Sequence, residues 1–593
     1  MKKVLLIIAA LAVIAIGGVA VFKHQNKSAG PGDFATYVPQ NVILVANATK
    51  LNEYIDILSK SSLGHFVSKE TMNPVLEEMG LSQQQVQSYD SMIDNLNKNV
   101  HSPFFRTLFG DDYTAAFFAP DPQLLKENPI FALQQSFISF VKSGAGSLVE
   151  IFGKFAKGVQ IEKEKVDEFE LTRITVDQGE NGKTILYAYD DKGLILISFN
   201  KDLIKTCLST KKADNSLAKT AAYQEAAKFW KDETTATTYF RSFCQVKQLA
   251  AFIASINDPQ MGKDIAEVKK EVLAYLSGLE YAYGISGKAG AEYTDKSKIK
   301  VQYAELHALF KGMIDDSSQI GTNAAILSLI NDKTLAFQWG YSLKGEDIVK
   351  KLEQESPLAL QQLQEGAQQA LGIPLEEAAA SFGPRYGGAL NGIIDTAVFP
   401  IPDLTLFTNI RNPAAAQNII GVLSQKIDEL GLPGEPQKLA NGTTMYSWPA
   451  MAEVGLIPSM GMNNSLFYVG TMKNSVQPML EKKAPEVVNL PEALTKGLGP
   501  ERSGRFTKAN AGAFLIYPQR LATQAKGAVD MLVNAAASAS AVHINLLSQE
   551  LLKLMHSVEL VVGTTNANKD YIEWESCLIP AKPEAAAPQE AKK

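Results

Sequence analysis

Residues Gly193–Lys212, GLILISFNKDLIKTCLSTKK, reveal how the chain is organised, because a second copy of their pattern follows later. That copy is Ser465–Lys483, SLFYVGTMKNSVQPMLEKK, displaced by 272 positions. Each copy predicts a hydrophobic strand, a short polar break and an amphipathic helix that ends in paired lysines. Met479 stands where the first copy has Cys207, so the thiol is not shared. The repeated pattern therefore indicates a packing unit.

Three further pairs of segments keep the same order at nearly the same displacement, of 272 to 279 positions. They are Phe109–Tyr113 with Phe382–Tyr386, Gln248–Ala250 with Arg520–Ala522, and Gly278–Gly284 with Ser557–Gly563. Ordered echoes of this kind indicate two homologous halves that join within Lys311–Thr322. A chain of 593 residues is also too long for one hydrophobic core. We therefore expect an anchor and linker at 1–32, halves at 33–315 and 316–580, and a disordered tail at 581–593.

The pattern within each half predicts an α+β fold, an antiparallel sheet packed by helices. Strands at Thr184–Tyr189 and Leu194–Phe199 flank the hairpin turn Asp190–Gly193. In the second half, we expect Thr443–Trp448 and Leu466–Val469 to form the same hairpin around an enlarged loop, Pro449–Asn464. Long helical patterns precede the last strands of each half, at Val246–Ile256, Ile265–Leu276, Leu521–Ala537 and Ile544–His556.

The amino terminus predicts a transmembrane helix. The uncharged apolar run Val4–Phe22 follows Lys2 and Lys3, and at about 1.5 Å per residue it spans roughly 28 Å, enough for a bilayer core. A signal peptide cleaved near Gly18–Ala20 is the alternative, which would give a secreted protein. The short basic head favours a single-pass protein of the bacterial inner membrane, with its body in the periplasm or outside the cell.

Four segments point to one group of proteins: the amino-terminal anchor, the opening strand Tyr37–Val42, and the strand-to-helix steps Leu196–Lys201 and Leu404–Pro413. Together they resemble a family of uncharacterised bacterial envelope proteins. The resemblance implies a domain of unknown function, an N-terminal anchor and two α+β halves. It implies no catalytic residues.

Composition and motifs exclude several classes of function. The chain carries a net charge of −6, and residues 1–31 contribute four lysines and no acid, so an acidic body argues against nucleic acid as a partner. Three cysteines and six histidines show no metal-ligand spacing. Gly284–Ala289 lacks the glycine and hydroxyl residue of a phosphate loop, and we interpret it as a hairpin turn. We therefore expect no catalytic residues, no metal and no cofactor.

Two apolar stretches are the candidates for binding a ligand or a partner. Ile130–Phe155 places Phe137 and Phe140 on one predicted helical face and Phe152 and Phe155 on a second. The enlarged loop contributes Met451, Leu456, Ile457, Met460 and Met462, and flexible methionines suit an irregular apolar partner. The alternative is that both stretches pack onto their own sheets, as most apolar stripes do.

The sequence therefore favours a membrane-anchored, extracytoplasmic, non-catalytic binding or scaffold protein of the bacterial envelope, with other envelope proteins or lipid as possible partners. A carrier or chaperone for a lipid, a lipoprotein or another apolar ligand is the alternative. A hydrolase whose catalytic groups are distant in sequence comes third. An apolar cavity between helices and sheet would favour the carrier, and an exposed apolar patch would favour the scaffold.

Overall fold

The computed structural model describes residues 32–102, 106, 112–142, 159–177, 183–233, 237–256, 263–316, 321–394, 400–481, 490–539 and 543–582. These residues form two compact units. The first contains 32–77, 81–307 and 570–573, and the second contains 78–80, 308–569 and 574–582. The main division, after His307, lies eight residues before the predicted boundary at 315. The predicted anchor and most of the predicted tail lie outside the described residues.

The first unit combines an antiparallel sheet with helices. Its strands are β1 (Leu44–Thr49), β2 (Asp112–Phe117), β3 (Phe137–Lys142), β4 (Val159–Val166), β5 (Phe169–Asp177), β6 (Lys183–Asp191), β7 (Leu194–Ser198), β8 (Thr237–Cys244), β9 (Leu279–Ala289) and β10 (Glu292–Val301). Its helices are α1 (Gly32–Ala35), α2 (Leu51–Lys60), α3 (Ser62–Phe66), α4 (Lys69–Glu78), α5 (Gln83–Val100), α6 (Pro122–Glu127), α7 (Pro129–Gln135), α8 (Lys201–Lys212), α9 (Ala221–Asp232), α10 (Val246–Ser255) and α11 (Lys263–Leu276).

The second unit contains the same kinds of element. Its strands are β11 (Ala336–Tyr341), β12 (Phe382–Ile394), β13 (Ile401–Ile410), β14 (Glu435–Lys438), β15 (Thr444–Ser447), β16 (Ser459–Met462), β17 (Leu466–Gly470), β18 (Gly512–Ile516), β19 (Val558–Ala567) and β20 (Tyr571–Pro580). Its helices are α12 (Ala308–Asp316), α13 (Gly321–Leu327), α14 (Gly345–Glu355), α15 (Pro357–Leu371), α16 (Leu375–Ser381), α17 (Pro413–Glu429), α18 (Lys473–Glu481), α19 (Glu492–Lys508), α20 (Pro518–Ala539) and α21 (Asn545–His556).

The two sheets repeat one strand order. In the first unit the order is β10-β9-β8-β1-β2-β3-β7-β6-β5-β4, and every neighbouring pair is antiparallel. In the second unit it is β20-β19-β18-β11-β12-β13-β17-β16-β15-β14, antiparallel from β19 to β14. The predicted α+β class with an antiparallel sheet is confirmed. Each strand of the second unit occupies the place that its counterpart, ten strands earlier in the chain, occupies in the first unit, as expected for a duplicated chain.

The repeated stretch forms corresponding elements in both units. In the first, β7 is buried along its length and Asn200 caps α8, accepting hydrogen bonds from the backbone N–H groups of the helix's first turn. The buried face of α8 includes Ile204 and Leu208, and the corresponding residues of α18, Val476 and Leu480, are buried as well. The strand and the apolar helix face predicted for both copies are confirmed.

The hairpin predicted in the first unit is also confirmed. β6 and β7 pair up to Asp191 and Leu194, which leaves Lys192 and Gly193 as a two-residue turn. Both have positive φ, 56° and 93°, as a type I′ turn requires. The carboxylate of Asp190 accepts a hydrogen bond from the N–H of Gly193 at 3.0 Å, which supports the turn.

The hairpin predicted in the second unit is wrong. β15 and β17 do not pair, because β16 lies between them and pairs with both. The supposed loop Pro449–Asn464 therefore contains a strand, and its Met460 and Met462 belong to that strand. The short run Ser459–Met462 was missed because its glycine and serine are weak strand formers, and its pairing depends on neighbours distant in sequence.

Of the two helical faces predicted within Ile130–Phe155, the first is wrong after Gln135, and the second lies outside the described residues. A helix ends at Gln135, and Phe137–Lys142 form strand β3 between β2 and β7. This strand is apolar on both faces, so its continuous hydrophobic run also matches a helical period. Gly284–Ala289, interpreted as a turn, instead lies within β9, and the turn follows at Gly290. The four long helices predicted before the last strands are confirmed within three residues at each end.

Candidate functional site

One face of the second unit's sheet is packed into a hydrophobic core. Five adjacent strands bury side chains there, namely Phe337, Trp339, Ala389, Phe407, Tyr468, Ala513 and Leu515. Because successive side chains of a strand point to opposite faces, the neighbours of these residues lie on the other face. That other face carries the candidate site.

Three large side chains on this other face are open to solvent. Leu406 of β13 lies opposite Gly388 of β12 and Val469 of β17, so the three residues share a face. Tyr386 lies two residues before Gly388 on the same strand and therefore shares that face. The exposed fractions of Leu406, Val469 and Tyr386 are 49%, 40% and 47%. We call these three residues the apolar strip.

Two positions next to the apolar strip are glycines and so carry no side chain. Gly388 separates Leu406 from the exposed Gln338 of β11. A Cβ atom at Gly388 would lie 2.8 Å from Cδ2 of Leu406, so glycine lets that side chain lie across the neighbouring strand. Gly340, opposite Tyr386, has no atom within 4 Å of the position a Cβ would take. A ligand can therefore approach β11 closely at Gly340.

Helices cover the sheet on either side of the apolar strip. Met460 of β16, opposite Val469, is buried in a cluster with Ile420 of α17. Towards the end of β12, the Gln524 side chain of α20 accepts a hydrogen bond from the Ile393 N–H at 3.1 Å. The strip thus lies between the part of the sheet under α17 and the part reached by α20.

The residues of the first unit at the positions of Leu406 and Val469 are not open to solvent. Ser139 of β3 lies opposite Ala115 and Ile197, at the positions that Leu406, Gly388 and Val469 hold in the second unit. Both Ser139 and Ile197 are buried, and the Ser139 hydroxyl is hydrogen-bonded to that of Tyr113 at 3.1 Å. The open apolar strip is therefore a feature of the second unit, at a place where the two halves differ.

A cleft of about 480 Å³ lies where β12 ends and β13 begins. We call it the strand-end cleft. Its volume is within the usual range for small-molecule sites, roughly 300–1,000 Å³. It is lined by Asp332, Lys333, Leu335, Asn391, Gly392, Ile393, Ile394, Asp403, Arg520 and Gln524.

The strand-end cleft presents two cations and two anions. The guanidinium of Arg520 lies 4.2 Å from the centre of the Tyr517 ring, and its Nη1 donates to the Asp332 carbonyl at 3.4 Å. Both carboxylate oxygens of Asp403 accept from the Ser475 hydroxyl, at 2.7 and 2.8 Å. Within the described ranges, neither Arg520 nor Lys333 forms an ion pair with a carboxylate. The cleft therefore combines apolar side chains with four charged ones whose formal charges balance.

The residues predicted from sequence as an apolar surface are dispersed. In the first unit, Phe140 is buried in the main core and Phe137 is half-buried, while Phe152 and Phe155 lie outside the described residues. In the second unit, Met460 is buried, and Leu456, Ile457 and Met462 are half-buried. Met451 lies in the short 3-10 helix Pro449–Val454. Phe140 and Met460 are core residues, so neither belongs to an open surface. Met462 packs against the cluster formed by Met460 and Ile420 of α17, next to the apolar strip.

The apolar strip itself was missed from sequence. In β13, buried Thr405 and Phe407 alternate with more open Leu404 and Leu406. A polar residue inside and leucines outside reverse the usual pattern of a half-buried strand. That reversal is a signal in the sequence, but only the pairing of β12, β13 and β17 shows which residues stand side by side.

Groups that resemble catalytic nucleophiles are held in unreactive forms. Cys207 is buried, which raises its pKa, and burial raises the pKa of Cys244 to about 12. Tyr37 donates to Asp191 at 2.7 Å and also contacts the Lys211 ammonium. Burial and the Asp191 carboxylate raise the pKa of Tyr37 to about 12, so its hydroxyl stays protonated at neutral pH.

One buried carboxyl group has a strongly perturbed pKa. Asp295 of β10 lies opposite Ser286 of β9. Its Oδ1 and the Ser286 hydroxyl are buried and have no hydrogen-bond partner among the described residues. Burial raises the pKa of Asp295 from 3.8 to about 7.

The described part of the chain contains neither a cluster of metal ligands nor a membrane-spanning helix. No group of three or more potential metal ligands occurs among those residues. None of their helices combines the length and the hydrophobicity needed to cross a bilayer. The predicted anchor Val4–Phe22 precedes the first described residue and stays a prediction.

Comparisons with known proteins give no family. No protein-family model matches the chain, and no curated protein matches it. Among solved structures, the chain is similar to crystal form III of TP0453, with 11% identity and a TM-score of 0.22 over 46% of this chain and 80% of that one. Crystal form I of TP0453 gives 10% identity and a TM-score of 0.23 over the same shares. These TM-scores are too low to support an inference about fold or function.

Proposed function

We propose that this chain is a non-catalytic binding protein of the bacterial envelope, and that it holds the acyl chain of a lipid on the open face of the second unit's sheet. The envelope location rests on the predicted anchor Val4–Phe22 and on the sequence resemblance to envelope proteins. A scaffold for other envelope proteins is the alternative function.

The observation that carries the proposal is the apolar strip. Tyr386, Leu406 and Val469 stand side by side with about half of each side chain in water. Fully burying an aliphatic side chain stabilises by about 1.5–3 kcal/mol, so covering the exposed halves of Leu406 and Val469 contributes roughly 2 kcal/mol together.

The shape of the surface fits a long, narrow ligand. From Tyr386 to Gly392, β12 runs roughly 20 Å at 3.4 Å per residue. Gly340, opposite Tyr386, leaves room above β11, and α17 and α20 cover the sheet on either side. An extended acyl chain can follow this path and remove the strip from water.

The test is a binding assay with a fatty acid that carries a fluorescent chain, using the full-length protein. Leu406→Gln together with Val469→Gln is expected to weaken binding about 10- to 30-fold, because roughly 2 kcal/mol of apolar contact is lost. Leu430→Gln is the matched control, since Leu430 is 80% exposed in the same unit and lies outside the strip.

Circular dichroism of the variants checks that they fold. Equal affinity of the strip variant and the control would refute the proposed site. If the native protein binds no fatty acid but retains an envelope protein through the strip residues, the scaffold function replaces the proposed one.

A further inference from the structure

The strand-end cleft lies at the end of the strands that carry the apolar strip. Leu390 and Leu404 lie opposite each other, between the strip and the cleft. Beyond them, Asn391 and Asp403 line the cleft. Because Asp403 alternates with Leu404 and Leu406, its side chain lies on the opposite face, so the cleft spans the end of the sheet, where the strip's face ends.

The cleft is lined by charged side chains, whereas the apolar strip contains none. Arg520 reaches the backbone of Asp332 at the edge of the cleft, and Lys333 is the next residue of the chain. Both cations are exposed and form no ion pair with a carboxylate in the described ranges. Asp332 and Asp403 supply two negative charges in the same cleft.

We infer that the strand-end cleft binds a zwitterionic headgroup, a phosphate ester that carries an amine, while the apolar strip holds the acyl chain. Arg520 and Lys333 are donors suited to phosphate oxygens, and Asp332 and Asp403 are acceptors for an ammonium group. A purely anionic head would meet repulsion from the two carboxylates, and a neutral head would offer no opposite charge to any of the four charged side chains. This inference rests on the proposed function, because the acyl chain is held by the same strip.

The site has the size for such a group. Its volume of about 480 Å³ exceeds what a single phosphate needs, and Ile393 and Ile394 line it beside the charged groups. Charge-assisted hydrogen bonds of this kind contribute more than neutral ones. They also give selectivity between heads, which an apolar surface alone cannot provide.

The experiment compares three soluble lipids with identical short acyl chains: a phosphatidylethanolamine, a phosphatidylglycerol and a diacylglycerol. Each is titrated by calorimetry into the full-length protein. The native protein is expected to bind the phosphatidylethanolamine about tenfold more tightly than the other two, which corresponds to one additional charged interaction.

Variants separate the headgroup from the chain. Lys333→Gln with Arg520→Gln is expected to remove the preference for phosphatidylethanolamine and to leave diacylglycerol binding unchanged. Asp403→Asn is expected to reduce the discrimination against phosphatidylglycerol. Lys333→Arg keeps the charge and the preference, and Lys438→Gln, at an exposed lysine of the same unit outside the cleft, changes neither.

The possible outcomes distinguish the two proposals. If all three lipids bind equally and the strip variant weakens all of them, the headgroup inference is wrong and the proposed function stands. If none of the lipids binds, both are wrong. If phosphatidylglycerol binds best, the cleft recognises an anionic head and the inference of a zwitterion is overturned.

Discussion

Replacing Asp295 by asparagine should make the first unit more stable at alkaline pH. The Asp295 carboxyl group is buried opposite Ser286, and burial raises its pKa from 3.8 to about 7. In the unfolded chain, the same group ionises near its ordinary pKa. Between these two pH values the folded protein holds one more proton than the unfolded protein, so the free energy of unfolding falls as the pH rises.

The size of the effect follows from the difference between the two pKa values. Each unit corresponds to about 1.4 kcal/mol, so the native protein loses at most about 4 kcal/mol between pH 4 and pH 7 from this group. Asparagine has nearly the same shape and cannot ionise. Asp295→Asn should therefore remove this loss and leave the stability near pH 4 almost unchanged.

Hydrogen exchange measured by mass spectrometry at several urea concentrations can follow each unit separately. Peptides from β9 and β10 report the first unit, and peptides from β18 and β19 serve as an internal control in the second. Asp232→Asn is the matched variant, because Asp232 is an exposed aspartate of the same unit. A substitution at such a surface position should change stability by less than about 0.5 kcal/mol.

The result that would refute this reasoning is a native protein whose first unit keeps the same stability at pH 5 and pH 8. A variant that is destabilised at pH 8 would also refute it, since it would mean that the ionised carboxylate makes a favourable contact in the folded state.

Two further predictions concern the repeated stretch and the thiols. Leu208→Ala and Leu480→Ala remove corresponding buried side chains, so each should destabilise its own unit by about 2–5 kcal/mol and leave the other unit unchanged, as the same hydrogen-exchange assay would show. Loss of both units in either variant would contradict this prediction. Cys207 and Cys244 should resist iodoacetamide in the native protein at pH 8, because burial raises the pKa of both thiols, and should react in urea, as peptide mass spectrometry would show. Rapid modification of native Cys207 would contradict its burial on the inner face of α8.

Local patterns were sufficient to predict many of the helices and strands. Lys192 and Gly193 were sufficient to predict the β6–β7 turn, because glycine readily adopts the positive φ that the turn requires. The long helices α10, α11, α20 and α21 follow from apolar residues at helical spacing. Those signals act over a few residues, so a single stretch of sequence carries them.

Local patterns failed where pairing between distant strands decides the structure. Phe137–Lys142 is apolar on both faces, so its sequence fits a helix as well as a strand. Pairing with β2 and β7, one on each side, makes it a strand. Ser459–Met462 is too short and too rich in small residues to be recognised, yet it completes the sheet between β15 and β17. The energy that selects these strands comes from hydrogen bonds to partners that the local sequence does not contain.

The duplication and the α+β class could be read from sequence, because corresponding residues such as Leu208 and Leu480 recur at a nearly constant distance and serve the same packing role. The candidate site could not. Tyr386, Leu406 and Val469 come from three separate strands, and Arg520 from a helix more than a hundred residues beyond Leu406. Only the register of the sheet places them on one face, and only the placement of α17 and α20 leaves that face open. Burial and exposure are properties of the assembled fold, whereas periodicity belongs to the chain.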